Sequence, residues 1–241
     1  MAEVRPFRAY RPPRDLAPRV ACPPYDVLNT EEARELARGD EVSFLHVNKP
    51  EIDFPPGQDP YAPEIYAKGR ENLQAMIARG LLARDSAPCF YVYRQVMGDH
   101  AQTGLVAGAS IAEYEDDRIR KHEFTRPDKE DDRTRHIDTL DANDEPVFLT
   151  YFARPAIDRL VAEICAEEPA CDFTSDDAIR HTLWVVSDPA RVDAFRRHFA
   201  EVPRLYVADG HHRSAAATRV RSARRARVGS EDSSSTRQLV A

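Results

Sequence analysis

The sequence predicts an α/β (α+β) protein with a mixed sheet and helices on its faces, and three observations carry that prediction. Strand and helix patterns alternate through the second half of the chain. A two-stranded hairpin pattern lies near its middle. A β run over residues 205–208 passes directly into a helix through Asp209-Gly210. Alternation of this kind leaves each helix one apolar stripe to bury against a sheet face.

Residues 1–28 are rich in Pro and Arg without a sustained period, and are expected to run extended over the surface. Asn29-Thr30-Glu31-Glu32 pairs a capping side chain with Glu three positions on, so a short helix should follow to about Arg38. Residues 43–47 read as a buried strand, and the proline-laden stretch 50–63 as a loop. Over 64–79, Ile65, Leu73, Met76 and Ile77 keep helical spacing, and Gly80 supplies the stop. The apolar runs 89–93 and 105–109 flank Met97-Gly98-Asp99-His100, the pattern of an antiparallel hairpin.

A highly charged segment, 114–145, precedes a strand over 147–152. Helix 155–167, a strand near 183–186, helix 190–199, strand 205–208 and a helix from His212 complete the alternation. Asp188-Pro189 opens the penultimate helix with a capping carboxylate and a first-turn proline. The polar, low-complexity run that starts at Gly229 has no apolar period. The expected organisation is therefore one globular domain over 1–228 and a disordered tail over 229–241.

The chain has 241 residues, 42% hydrophobic and 31% charged, enough to bury a substantial core. No apolar run approaches the roughly 20 residues needed to span a bilayer, and the start does not resemble a signal peptide, so a cytoplasmic, membrane-free protein is expected. A net charge of -7 argues against a nucleic-acid partner, because a phosphate backbone is held by clustered Lys and Arg. Cys22, Cys89, Cys165 and Cys171 include no CxxC pair and read as reduced, mostly buried thiols. Tyr91, Tyr93, Trp184 and Phe195 read as core. The arginines at 219, 221, 224, 225 and 227 read as a solvated helix end.

Two constellations can carry chemistry. At Asp209-Gly210-His211-His212-Arg213 a strand turns tightly into a helix. The free N–H groups and positive dipole end of such a helix attract anions, and Arg213 can add a bidentate fork to a phosphate. His211 and His212 can donate to phosphate oxygens or move a proton. The same spacing fits a plain helix capped by Asp209, and it does not choose between the two. The second constellation runs from Lys121-His122-Glu123-Phe124-Thr125 to Lys129-Glu130-Asp131-Asp132-Arg133-Thr134-Arg135-His136. Glu123 fits a general base, Lys121, Lys129 and Arg133 fit phosphoryl oxygens, and the carboxylates fit Mg²⁺. Its alternating charges equally fit a solvated helix face. His122, His136, His211 and His212 are a weaker zinc set, since their spacing follows no zinc motif, and the metal is left open.

Arg5-Pro6-Phe7, Cys22-Pro23-Pro24-Tyr25-Asp26-Val27, Lys121–Thr125, Lys129–Arg133 and Ala208–Arg213, in that order, resemble the bacterial and archaeal family termed domain of unknown function 1015. The resemblance extends to about Arg225. The Asp-Gly-His-His-Arg turn also resembles the phosphate-gripping turn of the ParB/sulfiredoxin superfamily, which implies such an element around residues 205–225. It implies that Asp209, Gly210, His211, His212 and Arg213 hold the phosphates of ATP or ADP, with Mg²⁺. It also implies that Glu123 activates a hydroxyl for phosphate transfer to or from a small molecule, serine or phosphoserine; in such an enzyme Lys129 and Arg133 would stabilise the transferred charge, and His122 is a further catalytic candidate. Members of the family continue further beyond the turn, so a truncated or frameshifted, inactive product is one expectation. A ParB-like nucleotide switch without turnover is another.

Overall fold

A computed structural model describes residues 2–228 and 238–240. The tail expected over 229–241 lies outside the described residues except for 238–240. In chain order the elements are β1 (Val4–Arg5), β2 (Tyr10–Arg11), α1 (Ala17–Val20), α2 (Thr30–Leu36), α3 (Leu45–Asn48), a 3₁₀ turn (Pro50–Asp53), α4 (Pro63–Ala78) and β3 (Ala83–Arg84). The middle of the chain forms β4 (Phe90–Met97), β5 (His100–Val106), β6 (Gly108–Ser110), α5 (Ile111–Glu115), β7 (Ile119–Arg120), α6 (Pro127–Leu140) and β8 (Phe148–Thr150). Then follow α7 (Pro155–Cys165), β9 (Cys171–Thr174), β10 (Arg180–Val186), α8 (Pro189–Ala200), β11 (Leu205–Asp209), α9 (His211–Val228) and β12 (Gln238–Val240). The expected mixed α/β architecture is present.

The chain divides into two compact units, one comprising Met1–Ala9, Asp85–Thr134 and Glu145–Ala241, the other Tyr10–Arg84 and Arg135–Asp144. The first holds a four-stranded antiparallel sheet ordered β5-β4-β10-β9 and two three-stranded sheets, β1-β6-β12 and β7-β11-β8. The expected β4–β5 hairpin forms, with Met97 opposite His100 across the Gly98-Asp99 turn. Strand β10 alternates as a half-buried strand should, with Thr182, Trp184 and Val186 inward. Phe90 and Phe195, both fully buried, meet edge to face at 5.7 Å, an arrangement that adds about 0.5–1.5 kcal/mol beyond area burial. Tyr91 and Trp184 are buried as expected, and Tyr93 is partly so. Helix α8 starts as its sequence dictates, the Asp188 carboxylate accepting from the Arg191 N–H at 2.9 Å. No disulfide joins the four cysteines, of which Cys89 is buried and the others partly buried.

In the second unit, α2 carries the expected capping box: Asn29 accepts from the Glu32 N–H, and Glu32 accepts from the Asn29 N–H. Helix α4 matches its prediction within a residue. The buried strand expected over 43–47 is instead helix α3. A five-residue run has no period long enough to separate the two states, and here packing decides. Leu45 and Val47 are fully buried, and Asn72 of α4 donates to the His46 carbonyl at 2.7 Å. The N-terminal stretch is also less superficial than expected: α1 forms, and Ala2, Val4, Ala17 and Val20 are buried. Among the described residues no helix is long and apolar enough to cross a membrane.

The second unit contains a titrating pair. His46 Nδ1 lies 2.6 Å from Asp53 Oδ1, and Asn72 donates to the other Asp53 oxygen at 2.7 Å. The hydrogen bond to Asp53 raises the His46 pKa against the opposing effect of burial. Burial pushes the Asp53 carboxyl up, but hydrogen bonds from His46 and Asn72 hold it below its usual value. The His46 contribution is complete below its unfolded pKa of about 6.5 and is lost as pH rises through the raised value. The Asp53 contribution is present above about 3.9 and is lost as pH falls through the lowered value. The stability difference between the native chain and Asp53→Asn, from urea midpoints, should therefore peak between those pH values. A difference flat with pH would show that the pair contributes nothing.

Candidate functional site

The two constellations meet because of one parallel strand pair. Strand β11 is the centre of its sheet, parallel to β7 on one side and antiparallel to β8 on the other. Leu205 pairs with Ile119 and Tyr206 with Arg120, so both strands finish at the same end. His122 and Glu123 follow β7, and Gly210 and His211 follow β11. Pro146 and Val147, which precede the antiparallel β8, reach that end too. Carboxyl ends of parallel strands are where open α/β sheets hold their ligands.

Asp209 closes β11 and Gly210 makes the turn with φ +89°. A Cβ there would lie 3.0 Å from Val147 Cγ1, so the turn needs both the backbone freedom and the small size of glycine. Helix α9 begins at His211, and the Ser214 N–H makes its first internal bond, to the Gly210 carbonyl at 2.9 Å. The three preceding N–H groups, of His211, His212 and Arg213, precede the first bonded one and form the bare donor end expected of a helix start. The buried face of α9 is built on Ser214, Ala216, Ala217 and Val220. Arg219 is tied to Glu130 and Asp131 of α6 at 3.1 and 2.7 Å. Arg221 is buried against Glu115 of α5 at 2.6 Å. These two arginines dock the helix; the expectation of a solvated helix end fails at the buried Arg221 and holds at Arg225 and Arg227, which are exposed.

Asp209 does not serve as the helix cap that one reading of the spacing assigned to it. Its Oδ2 accepts from Arg213 Nη2 at 2.5 Å, while Arg213 Nη1 donates to the Pro146 carbonyl at 2.5 Å. Arg213 is buried, and both ends of its fork are occupied by this loop. Its role in the structure is to brace the turn, so its fork is not open to an anion.

His211 is also buried, its side chain 5% exposed. Its Nδ1 lies 3.5 Å from Glu123 Oε2, and its ring meets that of His122 edge to face at 4.5 Å. Its Nε2 is buried without a hydrogen-bond partner. Burial first, and then the neighbouring His122, push its pKa below that of free imidazole, against the opposing pull of Glu123 and Asp209. Glu123 is 58% exposed at the side chain and His122 is exposed. One ligand atom from each of His122, Glu123 and His211 falls within 4.8 Å of the others. His212 stands apart from that group, its Nε2 accepting from the Arg126 N–H at 3.0 Å.

The remaining expected residues divide. Lys121 is turned to Tyr114, with Nζ 3.0 Å from the Tyr114 carbonyl and 4.4 Å from the ring centroid. Lys129 sits half-buried on the first turn of α6. Arg133 is buried and bound by Asp132 at 2.9 Å and Glu145 at 3.5 Å, an ion-pair network that holds α6 rather than an open cation for phosphate. His136 pairs with Asp144 at 2.8 Å in the second unit, whereas His122, His211 and His212 belong to the first.

Sequence reasoning passed over Ser214, whose hydroxyl is buried without a partner one turn into α9. It also passed over Asn48 and Lys49 in the second unit. Lys49 is buried, 3.1 Å from Glu51, with Nζ 3.4 Å from the Tyr25 carbonyl in the Cys22–Val27 block. A buried lysine after a short apolar run was the available signal, since such a charge is retained only when paired.

Residues 4–240 match the family described as Protein of unknown function (DUF1015). The chain belongs to that family. No curated protein and no solved structure matches the chain at comparable stringency. The functional argument for this DUF1015 chain therefore rests on the geometry of the β7–β11 end and on the blocks that carry the resemblance.

Proposed function

We propose that this DUF1015 chain is a nucleotide-dependent phosphotransferase of small-molecule metabolism, a serine kinase or an enzyme that dephosphorylates phosphoserine. The observation that carries the reading is the placement of a solvent-accessible carboxylate, Glu123, beside the bare N-terminus of α9 at the shared end of two parallel strands. The N–H groups of His211, His212 and Arg213 bind phosphate oxygens, aided by the positive end of the helix dipole. In the kinase direction Glu123 accepts the proton of the serine hydroxyl as that oxygen bonds to the transferred phosphorus. The bond from phosphorus to the leaving nucleotide breaks, and that nucleotide departs with the electron pair. Arg213 acts by holding the turn in shape. ATP or ADP, carried with Mg²⁺, is the donor that the ParB/sulfiredoxin-like turn points to.

The test is to incubate the full chain with serine, Mg²⁺ and ATP or ADP, and separately with phosphoserine and the nucleotide products, following phosphoserine by ³¹P NMR. Formation or loss of phosphoserine supports the proposal. Nucleotide retention without turnover would favour the switch module instead, and the absence of both would overturn the two readings together.

A further inference from the structure

We infer that His122, Glu123 and His211 form a binding site for one divalent transition metal of the zinc class. The inference follows from ligand chemistry and does not rest on the phosphotransfer reading. Two imidazoles and one carboxylate are the donor set of three-ligand zinc sites that keep a fourth position open. Imidazole selects zinc, iron, nickel or copper over magnesium, which prefers oxygen donors alone and keeps much of its water. This ion is thus distinct from any Mg²⁺ that travels with a nucleotide.

Proximity is one observation and the state of His211 is a second. A buried imidazole is ordinarily satisfied at both nitrogens. His211 has Nε2 buried without a partner, and Nδ1 is 3.5 Å from Glu123, too far for a hydrogen bond. A metal ion at Nδ1, the nitrogen nearest Glu123, would give that side of the ring a partner.

The approach of His122 fits as well. Its ring stands perpendicular to that of His211, at an interplanar angle of 87°, with centroids 4.5 Å apart. Donor atoms around a tetrahedral zinc with bonds of about 2.0 Å lie about 3.3 Å from one another. The three donors here fall within 4.8 Å. His122 and Glu123 are exposed and can rotate to close the difference, while His211 is fixed by burial at the start of α9. The open fourth position takes water or an anionic oxygen, next to the free N–H groups of α9.

The experiment is Zn²⁺ binding to the purified, metal-stripped full chain, read by equilibrium dialysis and by the visible spectrum of Co²⁺ as a substitute. The expected result is one tightly held ion and a Co²⁺ spectrum of four- or five-coordinate type. His122→Ala and Glu123→Gln should each weaken binding by more than about tenfold. Both side chains are exposed, so these variants should keep the native urea midpoint, whereas His211→Ala risks the core. Equal affinity in His122→Ala and the native chain would overturn the site, as would the absence of stoichiometric binding. Phosphoserine turnover with Mg²⁺ alone, in protein that binds no Zn²⁺, would leave the phosphotransfer reading standing and remove only this one.

Discussion

Glu123→Gln is expected to slow phosphoryl transfer by about 10²–10⁴-fold while nucleotide affinity stays unchanged. The substitution keeps the shape and one carbonyl oxygen of the side chain, and removes its ability to take a proton. Glu123 is 58% exposed and its contact with His211 is longer than a hydrogen bond, so folding should not suffer. Surface changes of this kind usually shift stability by no more than about 0.5 kcal/mol. The measurement is single-turnover phosphoserine formation beside a nucleotide-binding isotherm and a urea midpoint. Repeating it on metal-stripped protein with Mg²⁺ as the sole cation separates loss of a base from loss of a metal ligand. An unchanged rate in both conditions would sink the assignment of Glu123, and a lost isotherm would place Glu123 in binding rather than chemistry.

The parts of this fold that the sequence announced are those with local causes. The Asn29–Glu32 box, the Asp188-Pro189 start and the β4–β5 hairpin each depend on residues within a few positions of one another. What escaped was set by distant partners. Residues 43–47 carry a run that suits a strand, yet their contacts with α4 make them helix α3. Strand β7 has two residues, too few for any period, and its parallel pairing with β11 is what brings Glu123 to His211. The candidate site was thus legible as two separate motifs, and their meeting was not. Charge misled in a consistent way: Arg133, Arg213 and Arg221 look like free cations in the sequence, and each is buried against a carboxylate. A charged run tells that ions are present, but only tertiary structure tells which are already paired.

Gly210→Ala should destabilise the protein by about 2–6 kcal/mol through two separate costs. At φ +89° any L side chain is strained, by about 1–3 kcal/mol. The new methyl would also sit 3.0 and 3.1 Å from Val147 Cγ1 and Cβ and 3.2 Å from Arg213 Nε. Val147 is 4% exposed and belongs to the main core, so it cannot swing aside, and crowding of this kind costs about 1–3 kcal/mol more. Gly57 provides the control, because it has the same φ of +89° with nothing within 4 Å of an added Cβ. Gly57→Ala should therefore show the strain alone. Urea denaturation of both variants separates the costs, and equal losses would mean that the turn is not closely packed. The functional consequence follows from the neighbour that must move. Displacing Val147 shifts the adjacent Pro146 carbonyl, to which Arg213 is bound, and loosens the brace on the first turn of α9. Phosphate affinity should then fall by more than the stability loss alone explains, measured at a temperature where the variant remains fully folded. Affinity equal to that of the native chain under those conditions would show that the anion site does not depend on this turn.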